Sequence, residues 1–319
     1  MINIPENIAM KDLRSGFGEG LVAAGQKNPD VVALTADVTG SVKMDGFAKT
    51  FPERFIQCGI TEANMTGIAA GMSLSGKVPF IGGFAEFVTG RIYDQIRQVV
   101  AYSNKNVKVC GSHAGITLGE DGATHQTMED IGLMKALPNM TVLVPCDANQ
   151  TYNATIAAAE HNGPVYLRFG RPKMPNFTDI NEPFVIGKAQ MLNEGSDVSI
   201  IATGHLVWEA LLAAKELEKQ GISAEVINIH TIKPLDEEAI IASARKTGAV
   251  VTCEEHSLFN GLTDSVAHVL AVNCPTPMRF VAMEDRFGES GTPAQLMEHF
   301  GLKSANIQTA VHNVLKMKK

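Results

Sequence analysis

Paired cysteines, aromatic bulk and surplus positive charge are all scarce in this sequence. Its five cysteines (Cys58, Cys110, Cys146, Cys253, Cys274) are scattered and form no C-x-x-C pair. That pattern excludes a disulfide framework, and with four of the five in or beside apolar runs they read as buried free thiols of a reducing compartment. Cys110, His113 and His125 match no standard zinc spacing, so no metal-ligating set is expected within the chain. A net charge of -7 offers no general attraction to nucleic acid or to an anionic membrane, so any anionic substrate must be met by local Arg and His residues. No window reaches the length of a membrane span, and MINIPENIAMKDLR at the N-terminus has neither an apolar h-region nor a cleavage site; a cytoplasmic protein is expected. No G-x-x-x-x-G-K-[ST] loop exists, and Gly16-x-Gly18-x-Gly20 lacks both the spacing and the preceding strand of a dinucleotide fingerprint.

The 319 residues are too many for one ordinary domain, and a chain that is 45% hydrophobic and 19% charged has ample material for two cores. Aromatics make up 6% while Gly, Ala, Val and Ile are plentiful, the balance of α/β proteins with tightly packed parallel sheets. Short apolar runs at 31–34, 55–58, 78–81, 107–110, 141–144 and 165–169 read as strands. They alternate with helical patterns at 13–27, 62–75, 90–103, 127–137 and 148–161, which predicts a mainly parallel sheet covered on both faces. From Gly170 to Pro183 the periodicity lapses into a Pro- and Asn-rich stretch, the best linker. A second alternation follows, with strands at 197–203, 224–229, 249–254 and 279–283 and helices at 207–220, 235–246, 261–272 and 304–317.

Three segments of the first half carry chemistry. In FIQCGITEANMTGIAAG, a strand ends at Cys58 and Glu62 opens a helix. An acid in a first helical turn is favoured by the helix dipole, so Glu62 taken alone is helix punctuation. In VPFIGGFAEFVTG, Phe80 reads as core, whereas Phe84 and Phe87 follow two glycines where the chain reaches the end of the sheet, a place where open α/β sheets bind ligands. In VKVCGSHAGITLGEDGATHQ, a strand runs into a Gly-rich loop holding His113, Glu120, Asp121 and His125. So many hydrogen-bonding and titratable groups among glycines are poor structural material and good site material.

Together these segments resemble the pyrimidine-binding domain of transketolases: a Glu in G-I-x-E, F-x-x-F before a helix, S-H-x-x-I-x-x-G-E-D-G-x-T-H-Q, then A-L-P-N and V-x-P-x-D. The far end, MEDRFGESGTPAQLMEHFGL, is similar to the close of the transketolase C-terminal domain. The resemblance implies an α/β protein with a thiamine-diphosphate pyrimidine-binding domain over 1–175 and a transketolase C-terminal domain over 184–319. The diphosphate-binding domain of full-length transketolases, with its G-D-G motif and metal-binding Asn, has no counterpart in these residues. The similarity is therefore to the C-terminal subunit of a split transketolase, acting with a separate diphosphate-binding subunit that would hold the cofactor's magnesium or calcium ion.

By the same resemblance, Glu62 would hydrogen-bond a ring nitrogen of the aminopyrimidine and promote its imino form. Phe84 and Phe87 would wall the ring, with Phe87 the better stacking surface, and Asp37 would lie near the cofactor, although at a strand end it could equally cap a turn. His125 would contact donor hydroxyls and move their protons, His113 would line the channel, and Asp121 would hydrogen-bond a substrate hydroxyl. Arg14, Ser41 and Arg171 match positions that grip a sugar phosphate, and Arg168 lies close enough to Arg171 to leave that register open. The implied assembly is a homodimer core of this chain completed by two copies of the partner, transferring a two-carbon ketol unit from a ketose phosphate to an aldose phosphate.

Two departures bear on specificity. The family's usual Tyr three residues after the second Phe is Gly90 here, and the Asp that commonly follows the first loop His is Ala114. The run Arg91–Gln95 (R-x-Y-D-Q) is similar to deoxyxylulose-phosphate synthases and dehydrogenase β-subunits. A split transketolase for a modified sugar, such as a sulfosugar or branched-sugar phosphate, and a non-catalytic assembly subunit are the alternatives; intact Glu62, His113, Asp121 and His125 argue against the second. Glu254-Glu255-His256, at a strand end, is either a polar turn or an interface.

Overall fold

The computed structural model describes residues 8–318; the stretch read above for a leader lies, up to residue 7, outside the described residues. Its strands are β1 (Met10–Asp12), β2 (Val31–Thr35), β3 (Phe55–Gln57), β4 (Val78–Phe84), β5 (Lys108–Ser112), β6 (Thr141–Leu143), β7 (Val165–Arg168), β8 (Lys173–Pro175), β9 (Gln190–Asn193), β10 (Val198–Ala202), β11 (Ala224–Asn228), β12 (Thr231–Lys233), β13 (Val250–Ser257) and β14 (Met278–Met283). One sheet has the order β12-β6-β7-β5-β4-β2-β3 and the other β14-β13-β10-β11-β9, while β1 and β8 form a small ribbon. Both sheets are parallel except for one antiparallel edge strand each, β12 and β9.

The central strands are mostly apolar because helices cover both faces. Every residue of β2 and of β10 is buried, which is what a parallel sheet between two helical layers requires. On one face of the first sheet the helices Leu13–Lys27 and Ala148–Glu160 lie against each other. Gly16 permits this approach, since a Cβ there would stand 2.1 Å from the Ala148 carbonyl oxygen. Both helices are capped by an aspartate: Asp12 accepts from Ser15 N–H and Asp147 from Gln150 N–H. On the other face the helix Glu62–Leu74 sends Met65 and Ala69 into a cluster with Leu34 and Ile81. That cluster runs on without a break into the second half of the chain, through Ile201, Ile227 and Leu262.

Two expectations need correction. The helix expected at 90–103 is broken into turns at Ala85–Val88 and Tyr93–Gln95 and a π-helical run, Ile96–Tyr102. The cause is an inserted wide turn: Thr89 spends its hydroxyl on the Ala85 carbonyl, and Arg91 N–H donates to Glu86, five residues back. The helix expected from Thr127 starts at Asp130. Beyond these, the stretch read as a linker is pinned: β8 pairs with β1, and Asp147 accepts from Phe177 N–H, Thr178 N–H and the Thr178 hydroxyl. Of the cysteines, all free, Cys110, Cys146 and Cys253 are buried and Cys58 and Cys274 are half-buried. No helix among the described residues is long and apolar enough to cross a membrane.

Candidate active site

The chain leaves β2 for β3 on one side and returns to β4 on the other. The carboxyl ends of β2 and β4 are therefore the topological switch point, the place where open α/β sheets bind ligands. Glu62, at the start of its helix after β3, is 7% exposed. Phe84 ends β4 and Phe87 follows within a turn, their rings 5.9 Å apart and nearly parallel. From β5 comes His113, whose ring stacks on Phe84 at 4.0 Å and whose Nδ1 lies 2.8 Å from the Ser112 hydroxyl. Its backbone is left-handed, φ 59, a strained state for a bulky residue that folds retain chiefly at sites. Burial above all, then the charges of Arg14 and Arg171, push the imidazole down to about 3 against the opposing pull of Asp12. His113 is thus a neutral ring at neutral pH.

The loop after His113 folds back so that His125, half-buried, stands edge-on to Phe87 with ring centroids 5.2 Å apart. Its Nδ1 is engaged by Thr124 at 2.9 Å. Gln126 fastens the loop by donating to the carbonyls of Ile116, Gly119 and Glu289, and Gly122, at φ 73, lets it close against Ser290, whose hydroxyl would stand 2.5 Å from a Cβ there. Asp121 is left exposed on this turn. Glu62, Phe84, Phe87, His113 and His125 are therefore one constellation.

A second group of residues forms a cationic margin. Arg14 Nη1 donates to the Ser41 carbonyl at 3.1 Å, with its Nε on Asp12. Arg171 Nη1 donates to the Leu118 carbonyl and to Glu120 Oε2 at 2.9 Å. Because Arg14 and Arg171 both act on His113, the two guanidinium groups share its neighbourhood. Asp37 is exposed two residues past β2, at φ 61, with its N–H on Gln57. Arg168 does not join the margin. It is fully buried, 2.7 Å from Asp130 and bonded to the Glu255 carbonyl; burial opposes its charge, but Asp130 and Tyr166 outweigh burial and raise its pKa. It holds the protein together and cannot reach a ligand.

Two features that the sequence leaves without a settled role take one here. Arg91 lies with Cζ 3.7 Å over the Phe87 ring and Nη1 3.3 Å from Glu62 Oε1; its place four residues after Phe87 on a helical turn was the available signal. The second is the joint built by Glu254-Glu255-His256, which is buried. Glu255 accepts from Thr117 N–H at 2.7 Å, inside the loop that carries His113 and His125, and contacts His205 Nδ1 at 2.8 Å. Burial raises the Glu255 pKa, but His205, Arg168 and the Thr117 N–H together bring it below the usual value.

Residues 9–176 match the family model for the transketolase pyrimidine binding domain, and residues 187–307 match the model for the transketolase C-terminal domain. The 6-deoxy-6-sulfo-D-fructose transketolase subunit of Clostridium sp. is 44% identical over 99% of this chain and 99% of its own length. An apulose-4-phosphate transketolase subunit of Phocaeicola vulgatus is 38% identical over 95% of this chain and 97% of its own. A solved structure described as a split gene transketolase, an inactive beta4 tetramer, superposes with a TM-score of 0.91 at 46% identity, covering 97% of this chain and 99% of that one.

Proposed function

This chain belongs to the transketolase family as the C-terminal subunit of a split transketolase, and from that premise we propose how its residues divide the work. The family uses thiamine diphosphate with a divalent metal. When bound, the cofactor supplies the electron sink that carbon–carbon cleavage in a ketose requires. The face of Phe87, walled by Phe84, and the buried carboxyl of Glu62 fit the pyrimidine end of that cofactor. Among the described residues no group of three or more His, Cys, Asp or Glu side chains is placed to hold a metal, and the partner subunit is assigned the magnesium or calcium ion and the diphosphate.

Glu62 shares a proton with the pyrimidine ring nitrogen, inside the apolar wall that such sharing needs. His125 moves the proton of a donor hydroxyl, with His113 beside it as a neutral hydrogen-bonding ring. Asp121 accepts a hydrogen bond from a sugar hydroxyl. Arg14, Arg171 and Ser41 receive the phosphate, for which a guanidinium fork is well shaped. The observation that carries this reading is the set of ring contacts that joins Phe84, Phe87, His113 and His125 beyond the ends of β4 and β5, with Glu62 tied to Phe87 through Arg91.

The division into 1–175 and 184–319 and a core homodimer of this chain, completed by two partner subunits, belong to the same proposal. The dimer is supported by the outer face of the helix Glu62–Leu74. There Ile68 and Leu74 are exposed with Ile60 and Tyr102 nearby, and Gly67 and Gly71 leave open space for a neighbouring backbone.

The relatives named for 6-deoxy-6-sulfo-D-fructose and apulose-4-phosphate favour a second reading of the substrate alone. The test is to reconstitute the chain with its diphosphate-binding subunit and to offer a ketopentose phosphate, a sulfonated ketohexose and a branched ketose phosphate as donors. Ketol transfer from the ketopentose phosphate is the expected result. Transfer from a modified donor alone would replace the substrate, and no transfer from any would contradict the mechanism.

A further inference from the structure

Arg91 is half exposed, yet its guanidinium is held twice, by the Phe87 ring at 3.7 Å and by Glu62 Oε1 at 3.3 Å. The wide turn that brings Arg91 N–H to the Glu86 carbonyl lets the side chain fold back over the ring. A guanidinium is flat, delocalised and hydrogen-bonds from its edge. An aminopyrimidine offers Phe87 and Glu62 the same two things, a face and an edge. Only one of them can be seated at a time. The hydrogen-bond directions also conflict: Glu62 accepts from Arg91, whereas toward a pyrimidine ring nitrogen it must donate.

We propose that Arg91 is a displaceable occupant of the pyrimidine seat, a positioning residue that covers Phe87 and engages Glu62 until the cofactor drives it out. This rests on the reading of Glu62 and Phe87 given above. Glu86, half-buried at the same turn and already within the field of Arg91, gives the displaced guanidinium a second carboxylate to move toward. The seat is thereby kept closed to other flat ligands in a subunit that has not met its partner, and every cofactor that binds must first break these two contacts.

The test is calorimetric titration of thiamine diphosphate with magnesium into the reconstituted pair carrying Arg91→Ala or Arg91→Met, with thermal melts alongside. Binding should tighten by about tenfold in both variants, the worth of one released cation–π contact, with melting of the cofactor-free pair lowered only slightly, by the loss of that contact. A dissociation constant that stays the same or weakens, in pairs that melt close to the parent, overturns the proposal for Arg91 alone. Phe87→Ala made in the Arg91→Ala background, where no guanidinium competes for the ring, separates this from failure of the seat itself, and should weaken binding by about tenfold relative to Arg91→Ala through loss of the stacking face. If it does not, or if the parent pair binds no cofactor, the assignment of the seat fails and the role of Arg91 falls with it.

Discussion

The two sheets of this protein present the same kind of edge and use it in opposite ways. At the carboxyl ends of β2, β4 and β5, Phe84, Phe87 and His125 are only half-buried, and Asp37 and Asp121 stand exposed. At the carboxyl ends of β10, β11 and β13 the polar groups are buried and most of their hydrogen bonds are made to one another or to the first domain, with His205 Nε2 and Asn228 Oδ1 left without a partner. Thr203 donates to the Ile229 carbonyl, Asn228 to Gln150, Glu254 accepts from Leu262 and Thr263 N–H, and Glu255 ties His205 to the Thr117 backbone. The second edge is closed by the first domain, whose loop it braces. An open α/β sheet offers a ligand site at its carboxyl edge, but here one such site has been converted into a joint that holds the other site's loop in place.

The most severe way to break that comparison is at the open edge. Glu62→Gln should lower turnover of the reconstituted pair by about a thousandfold, the scale of a lost proton-transfer group, while leaving the melting temperature intact. A matching loss of stability would make Glu62 a structural residue instead. Where the first domain meets the closed edge, at Arg168, which donates to the Glu255 carbonyl, the opposite signature is expected. Arg168→Met leaves the Asp130 carboxylate buried without its partner and should cost about 3 kcal/mol or more in urea unfolding, with activity falling only as folded protein is lost.

A subtler test uses pH. His113 titrates near 3 when folded and near 6.5 when unfolded. Its contribution to stability is complete above the unfolded value and is lost as pH falls toward the folded one, because the unfolded chain then binds the proton first. Between pH 7 and pH 5 this one group should cost about 2 kcal/mol, facing Arg14, Arg171 and Asp12. His113→Asn, whose side chain tolerates the left-handed backbone, should lose correspondingly less over the same interval in urea midpoints. The smallest effect is expected at the cationic margin. Glu120 is exposed and pulled down by a backbone hydrogen bond and by Arg171, so Glu120→Ala should leave stability unchanged while freeing Arg171 to lower KM for the phosphorylated donor by a few-fold.

Much of this was legible in the sequence, for physical reasons that differ by region. The parallel strands announce themselves because a strand buried on both faces must be mostly apolar, as β2 and β10 are, with Thr35 and Ser199 the exceptions and both hydrogen-bonded. The family was legible in the G-E-D-G-x-T-H-Q loop, and the order of the two domains with it. The short edge strands β9 and β12 were not, since three or four residues paired on one side carry no periodicity. Nor was the broken helix after Phe87, whose cause is one wide turn that a residue pattern does not register. Arg168 was misplaced as a ligand arginine because sequence shows the cation and hides its buried partner. Glu254-Glu255-His256 was left undecided for the same reason: its partners, Thr117, His205, Gly132 and the helix start at Leu262, are distant in the chain or invisible as donors.

The central claim, that this subunit offers the pyrimidine end of a site and lacks the other end, is tested most directly by titrating thiamine diphosphate and magnesium into the chain alone and into the reconstituted pair. No saturable binding by the lone chain and tight, magnesium-dependent binding by the pair are predicted. Tight, magnesium-dependent binding by the lone chain would contradict it.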